Sequence, residues 1–153
     1  SVQISSNGSF IINIQLAGLD TSICGGSNPY PLQYHIHQKW EYGAQDKTDK
    51  YGTQCGADYT GGHYNPYNQP VCSNVAHPNY YNCEVGDISG RFGEVSPGPF
   101  GRIQVTHYLN DGGDCLCGRL TPEMGYNRSV VFHCNDGTRL FCAPFQLEAV
   151  AIK

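Results

Sequence analysis

Four histidines in this 153-residue chain stand in local patterns that could bring their imidazole rings together. His35 and His37 flank Ile36 in a run of alternating polar and apolar residues, and alternate residues of a strand point to the same face of a sheet. Two imidazoles side by side on such a strand can bind one metal ion. The pair alone is a weak signal, because two surface histidines more often produce the same pattern.

Two further histidines occur where a loop or a strand could bring them to the first pair. His63 follows Gly61 and Gly62, and glycines allow an irregular loop with close backbone approach. His133 ends the apolar run 130–133, which is typical of a short strand. Three or four imidazoles suit copper or zinc, and the spacing alone leaves both metals open.

The elements that must position these side chains are predicted to be β-strands. Alternating apolar residues predict a hairpin over 2–16, with Asn7-Gly8 at its turn. Further strands are predicted at 33–40, 91–95, 102–109, 129–133, 139–142 and 145–152. The stretch 41–82 has no periodicity, and so long a loop inside a compact domain is usually functional. The pattern predicts an all-β sandwich or barrel, and the length suits a single domain over 1–153.

The cysteine count indicates the compartment. Eight cysteines in a chain of this size predict disulfides and an extracellular location, because disulfides persist in oxidising environments. Two sequons, at Asn7 and Asn127, are consistent with a secreted glycoprotein, although such triplets also occur by chance. The sequence alone leaves the pairing open for Cys24, Cys72, Cys83, Cys115, Cys117 and Cys134.

Charge and hydropathy exclude two classes of partner. The formal net charge is −4, and no stripe of basic residues appears, which argues against nucleic acid. No segment contains the roughly 18 apolar residues that a membrane span requires. An anionic substrate would need a local positive group, since the overall charge repels it.

Five motifs stand along the chain in a definite order: His35-Ile36-His37, Gly62-His63-Tyr64-Asn65-Pro66, Val85-Gly86-Asp87-Ile88, Val130-Val131-Phe132-His133 and Arg139-Leu140-Phe141-Cys142. In this order they resemble the copper–zinc superoxide dismutases. The resemblance covers nearly the whole chain and implies an immunoglobulin-like Greek-key β-sandwich with long ordered loops. It implies that Cys55 and Cys142 form a disulfide beside the metal loop. It also implies that one copper ion is bound by His35, His37, His63 and His133.

The sequence departs from the copper–zinc pattern in two ways, and in both it resembles the copper-only superoxide dismutases. These occur in fungi and in multidomain animal repeat proteins. Glu84 stands three residues before Asp87, where a zinc-binding histidine is expected. The other zinc histidine has no clear counterpart, because His77 has the wrong offset from the metal loop. The copper-only subfamily has this Glu-x-x-Asp pattern and no zinc. The resemblance therefore implies that Glu84 and Asp87 hydrogen-bond the copper ligands instead of binding a second metal.

The second departure is a short connection between His133 and Arg139, where the copper–zinc enzymes have a long charged loop. The resemblance implies that Arg139 lies near an open copper face and attracts the superoxide anion, since a guanidinium stays charged. In the family mechanism His63 leaves the reduced copper, takes a proton and passes it to the product. Glu84 would hold the ring of His63 during this exchange. In the absence of zinc, Cys72 and Cys83 are expected to pair and brace the loop.

The implied activity is the disproportionation of superoxide to dioxygen and hydrogen peroxide by an extracellular antioxidant enzyme. The main alternative is a superoxide dismutase-like module that binds copper or serves a structural role with little turnover. A structural zinc site is disfavoured, because Glu84 replaces a zinc histidine. Residues 148–153 resemble the opening strand of the family. Either a tandem array with neighbouring repeats of this kind or a C-terminal extension would explain that position.

Overall fold

The computed structural model describes residues 2–4, 10–18, 20–25, 28–41, 55–72, 83–109, 127–144 and 147–149. The elements of these ranges are mostly short strands. In chain order they are β1 (Val2–Ile4), β2 (Phe10–Leu16), β3 (Gln33–His37), α1 (Ala57–Thr60), α2 (Ile88–Phe92), a 3-10 turn (Pro99–Gly101), β4 (Ile103–Leu109), β5 (Ser129–His133), β6 (Arg139–Pro144) and β7 (Leu147–Ala149). Within the described ranges, no helix is both long and apolar enough to cross a membrane.

The strands form two sheets. One has the order β4-β2-β1-β7, in which β1 and β2 are antiparallel, as the predicted hairpin requires, and β7 lies parallel to β1. The other has the order β3-β5-β6 and is antiparallel throughout. β3 and β5 pair over their whole lengths, so that Gln33 lies opposite His133 and His35 lies opposite Val131.

The core lies between the two sheets. Ile14 and Ile103 come from the four-stranded sheet, and most of the other buried apolar residues come from the three-stranded sheet or the loops beside it. Tyr34 on β3 stacks on Phe132 of β5, with 5.3 Å between the ring centroids. The alternation predicted for β3 is confirmed, because Tyr34 and Ile36 belong to the core while His35 and His37, which alternate with them, lie on the opposite face.

The strand predicted over 91–95 is wrong, because α2 extends through the first two of these residues and ends at Phe92. The Asp87 carboxylate starts this helix by accepting a hydrogen bond from the backbone N–H of Gly90 at 2.7 Å. Gly93, with φ of +95°, ends it. Val95 then forms only an isolated bridge with Leu32. A capping carboxylate and a terminal glycine therefore decide the local structure against the β-propensity of the side chains.

The part of the chain that the structure describes contains three disulfides. They are Cys24–Cys134, Cys55–Cys142 and Cys72–Cys83, and each contains at least one buried cysteine. The structure thus contains the pair that the resemblance implied beside the metal loop and the pair expected to brace the same region. Cys115, Cys117 and His77 lie outside the described residues.

Candidate metal centre

Four imidazole rings meet on one side of the three-stranded sheet and form what we call the four-histidine centre: His35, His37, His63 and His133. One nitrogen atom from each ring lies within 4.8 Å of those from the other three. The ring centroids are 4.1 to 6.5 Å apart. Within the described part of the chain, no other group of three or more possible metal ligands converges in this way.

Two neighbouring strands supply three of the rings. His35 and His37 are two residues apart on β3, so their side chains share the face opposite the core. His133 ends β5, whose side chains alternate in step with those of β3. The ladder between β5 and β6 shifts register between Phe132 and His133. Such an irregularity re-aims the side chain at that position, and here it lies at the residue that enters the centre.

The fourth ring comes from the segment that follows α1. His63 forms an isolated antiparallel bridge with His37, and the backbone N–H of Tyr64 donates to Ile36 O at 2.8 Å. Gly86 joins both segments, because its N–H donates to Tyr64 O at 2.9 Å and its carbonyl accepts from Ile36 N at 2.8 Å. A Cβ at Gly86 would lie 2.5 Å from Ile36 O, so this junction requires a glycine.

Backbone carbonyls fix the orientation of two rings. His37 Nδ1 lies 3.0 Å from Gly61 O, and His133 Nδ1 lies 3.1 Å from Gly137 O. Because a carbonyl only accepts hydrogen bonds, each Nδ1 must carry the proton and donate it. In the neutral rings the lone pair therefore lies on Nε2, the atom that each ring turns toward the other.

Burial keeps these rings neutral. It lowers the pKa of His37 to about 3 and that of His133 to about 4, and the nearby cationic Arg139 adds to both shifts. The pKa of His63 is also lowered, chiefly by burial, even though the Glu84 carboxylate opposes the shift. Neutral imidazoles are the form that binds a metal ion, so the centre has ligand atoms ready at neutral pH.

A buried carboxylate holds the outer nitrogen of His63. His63 Nδ1 donates to Glu84 Oε2 at 2.7 Å, and Glu84 is only 8% exposed. Hydrogen bonds to an ionised acceptor of this length are the strong ones. Glu84 thus fixes the tautomer that leaves the lone pair of His63 on Nε2.

His35 takes the opposite tautomer. Its Nε2 faces the buried Asp87 carboxylate and the Ser89 hydroxyl, each at 3.4 Å. Burial by itself would raise the pKa of Asp87, but hydrogen bonds from His35 and from the backbone N–H groups of Gly90 and Cys72 hold it below the usual value. The Nδ1 of His35 is buried and has no hydrogen-bond partner among the described residues.

These donors fit a single copper ion. A buried ring nitrogen without a partner needs an explanation, and a metal ion that binds the Nδ1 of His35 supplies one. The other three rings each have their Nδ1 engaged, so each offers Nε2. A set of four imidazoles suits copper.

Arg139 is anchored beside the centre. Its Nη1 donates to Cys55 O at 2.8 Å and to Thr60 Oγ1 at 2.5 Å, and its Nη2 donates to Gly61 O at 3.0 Å. The same Gly61 carbonyl accepts from His37. The Cys55–Cys142 disulfide fixes the start of this segment. Burial lowers the pKa of Arg139, yet a guanidinium remains charged at neutral pH.

The sequence did not identify the groups that orient the rings through the backbone. The carbonyls of Gly61 and Gly137 carry no side-chain signal, so no residue pattern could have predicted their role. The sequence analysis also predicted no role for Asn65, whose side chain donates to Glu84 Oε1 at 3.1 Å. Its place within the motif around His63 was the only available hint.

Comparison with known proteins identifies relatives among the superoxide dismutases. No family model matches the chain. It is 32% identical over 151 residues to cell surface Cu-only superoxide dismutase 5 of Candida albicans, a match that covers 94% of this chain and 51% of that protein. It is 30% identical over 141 residues to cell surface superoxide dismutase (Cu-Zn) 4 of the same organism, with 91% and 49% covered. The chain thus spans about half the length of these relatives.

The fold has solved counterparts. The Cu(II) structure of Candida albicans superoxide dismutase 5 aligns with a TM-score of 0.60 and 26% identity, over 93% of this chain and 76% of that one. A variant of the same protein aligns with a TM-score of 0.63 at 24% identity, over 99% and 82% of the two chains, which supports the fold alone. The predicted all-β Greek-key sandwich is confirmed. The fold and the centre together define a β-sandwich protein with four converging imidazoles.

The chain belongs to the copper-only superoxide dismutase-like family. The family resemblance read from the five sequence motifs is therefore confirmed.

Proposed function

We propose that the four-histidine centre holds one copper ion and that the chain uses it to disproportionate superoxide. One superoxide is oxidised to dioxygen, and a second is reduced and takes two protons to become hydrogen peroxide. Bound copper would supply the one-electron couple between Cu(II) and Cu(I), which imidazole ligands support. The convergence of four imidazole nitrogens within 4.8 Å of one another carries this proposal. The names of the relatives support it, because they describe Cu-only and Cu-Zn superoxide dismutases.

His63 is the proposed ligand that also handles a proton. It is the most exposed ring of the four, with 27% of its side chain accessible, so its Nε2 can exchange a proton with solvent or with product. The hydrogen bond from Nδ1 to Glu84 would keep the ring in place whether Nε2 binds the metal ion or a proton. Glu84 would also stabilise the positive charge that the ring acquires when both of its nitrogens are protonated.

The site is proposed to work without zinc. Glu84 accepts a hydrogen bond from Nδ1 of His63, the ring atom that a bridging histidine would offer to a second metal. The Asp87 carboxylate accepts from two backbone N–H groups and lies beside His35, so it serves as a fixed support for that ring. Glu84 and Asp87 thus orient the ligands from outside, as metal-binding histidines usually require.

Arg139 is the proposed guide for the anionic substrate. Its carbonyl and hydroxyl partners are uncharged, so no carboxylate in these contacts cancels its positive charge. A fixed positive charge beside the centre attracts an anion locally, even though the chain as a whole carries a net charge of −4. Its link to His37 through Gly61 keeps the guanidinium at a constant distance from the ligands.

An extracellular location accompanies this function. The relatives are named as cell surface proteins, and three disulfides among the described residues indicate an oxidising compartment. We also propose that residues 1–153 form one domain, because both sheets contribute to a single core.

Superoxide removal by the purified chain loaded with copper tests the proposal. The wild type and Asn135→Ala, an exposed change on the hairpin that carries His133, should both be active. His133→Ala should lose most of the activity, because one of the four ligands is gone. If the wild type retains copper in the centre without consuming superoxide faster than the buffer does, the chain is the copper-binding module instead of the enzyme.

A further inference from the structure

We propose that Asn65 is a positioning residue whose side-chain amide holds the Glu84 carboxylate in the orientation that fixes the His63 ring. This inference deepens the proposed function, because it assigns the residue that supports the carboxylate in place of a second metal ion. Asn65 is not one of the four histidines of the centre, and its side chain reaches the centre through its hydrogen bond to Glu84.

The two oxygens of Glu84 have different partners. Oε2 accepts from His63 Nδ1 at 2.7 Å, and Oε1 accepts from Asn65 Nδ2 at 3.1 Å. A carboxylate with one bonded oxygen can rotate about its last torsion, which is broad for glutamate. The second bond removes that freedom, so Asn65 fixes the plane in which the carboxylate faces His63.

Asn65 itself has a single favourable orientation. Its Oδ1 accepts from the backbone N–H of Gln69 at 2.9 Å, and its Nδ2 donates to Gln69 O at 2.7 Å as well as to Glu84. Both amide protons are therefore used. Reversing the amide would place its oxygen against a carbonyl and a carboxylate, which are both acceptors, so the network fixes the amide in the orientation that serves Glu84.

The backbone binds the same two segments together. Glu84 N donates to Pro70 O at 3.0 Å, directly after the turn that Asn65 closes with Gln69. Asn65 is also two residues from His63 in the chain. The amide thus lies between the segment that carries the ligand and the residue that orients the ligand.

Nuclear magnetic resonance of the metal-free chain tests this role directly. The ring nitrogen shifts of His63 at neutral pH report which nitrogen carries the proton. In the wild type the Nδ1-protonated tautomer should dominate, because Glu84 accepts from that atom. Asn65→Asp keeps the size of the side chain but sets a carboxylate against Glu84 and Gln69 O. The ratio of the Nδ1-protonated to the Nε2-protonated tautomer of His63 should fall roughly tenfold, as expected for the loss of a hydrogen bond to a charged group.

Two further variants make the test specific. Asn68→Asp makes the same chemical change at an exposed position three residues along, and it should leave the His63 tautomer as in the wild type. Asn65→Ala removes the donor without adding charge, so it should lower the ratio by less than Asn65→Asp while remaining folded. A His63 tautomer ratio that is equal in the wild type and both folded Asn65 variants would overturn the proposal.

The measurement separates this inference from the proposed function, because it needs neither copper nor superoxide. A tautomer shift in Asn65→Asp and Asn65→Ala supports the positioning role even in a chain that proves inactive. An unchanged tautomer removes the role of Asn65 even if the copper-loaded chain disproportionates superoxide.

Discussion

The Nε2 atoms of His37 and His133 lie 3.3 Å apart, although each ring gives its only proton to a carbonyl on its other side. In neutral rings two lone pairs therefore face each other, and both residues are buried. Such an arrangement is unfavourable alone and becomes favourable when a cation lies against both atoms. The geometry of this pair is the clearest sign that the centre is built for a metal ion.

The same burial predicts that the metal-free chain loses stability in mild acid. The folded pKa values of His37 and His133 are about 3 and about 4, below the usual 6.5, so the unfolded chain binds more protons between these limits. The stability that these two neutral rings contribute is present above pH 6.5, and it is lost as the pH drops toward their pKa values in the folded chain. Between pH 7 and pH 5 each ring should contribute a loss of about 2 kcal/mol. His63 adds a loss of the same sign.

Urea unfolding of the metal-free chain at pH 7 and pH 5 measures this loss. Carboxylates with ordinary pKa values titrate mostly below this window, so histidines dominate the change. His133→Gln, which cannot be protonated, should lose less stability over the same interval. Equal unfolding free energies of the wild type at the two pH values would show that the rings are not buried as described.

Glu84→Gln should weaken the centre without removing any ligand. The amide keeps the size of the side chain but replaces an ionised acceptor for His63 Nδ1 with a neutral one. Outer partners of metal ligands typically contribute about 10- to 100-fold to metal affinity or activity. Copper affinity and superoxide consumption measure the effect. Glu41→Gln is the matched control, because Glu41 is exposed and pairs only with Lys39 in the described structure.

Gly86→Ala should destabilise the chain by about 1–3 kcal/mol, in the range of overpacked sites. The new methyl group would meet two carbonyl oxygens, Ile36 O at 2.5 Å and Tyr64 O at 2.9 Å, and backbone cannot easily move away. The thermal unfolding temperature and the copper affinity should both decrease, because this junction positions His63. Gly98→Ala, where the nearest atom is 3.6 Å from the new carbon, should change neither. Equal effects of the two substitutions would contradict the tight junction.

The disulfides should differ in their contribution to stability. Cys24–Cys134 closes a separation of 110 residues and Cys72–Cys83 one of 11. A disulfide lowers the entropy of the unfolded chain, and a longer closed loop loses more entropy. The Cys24–Cys134 link should therefore stabilise the fold by about 2 kcal/mol more than the Cys72–Cys83 link. Urea unfolding of the two paired alanine variants, Cys24→Ala/Cys134→Ala and Cys72→Ala/Cys83→Ala, tests this. A larger loss from the shorter link would show that local packing outweighs loop closure.

Much of the centre was predictable because periodicity determines where a side chain points. The two-residue spacing of His35 and His37 on a strand placed both rings on one face, and the apolar run before His133 gave β5 its bounds. Glu84 was expected to orient His63, and the two side chains do form a hydrogen bond. The roles of these residues toward copper and superoxide remain proposals.

Other parts of the site depend on contacts that no local pattern records. The helix over Ile88–Phe92 follows from the Asp87 cap, which competes with the strand propensity of the residues after it. The carbonyls of Gly61 and Gly137 orient two ligands through atoms that every residue possesses. Asn65 contacts Glu84 across 19 positions of sequence, a pairing that only the folded chain shows.

The most direct test of the account is the metal content of the folded chain after equilibration with an excess of both copper and zinc. Mass spectrometry of the native protein should find one copper ion per chain and no zinc. His133→Ala should hold less copper under the same conditions. A stoichiometric zinc ion in the wild type, with or without copper, would contradict a centre in which Glu84 and Asp87 stand in place of a second metal.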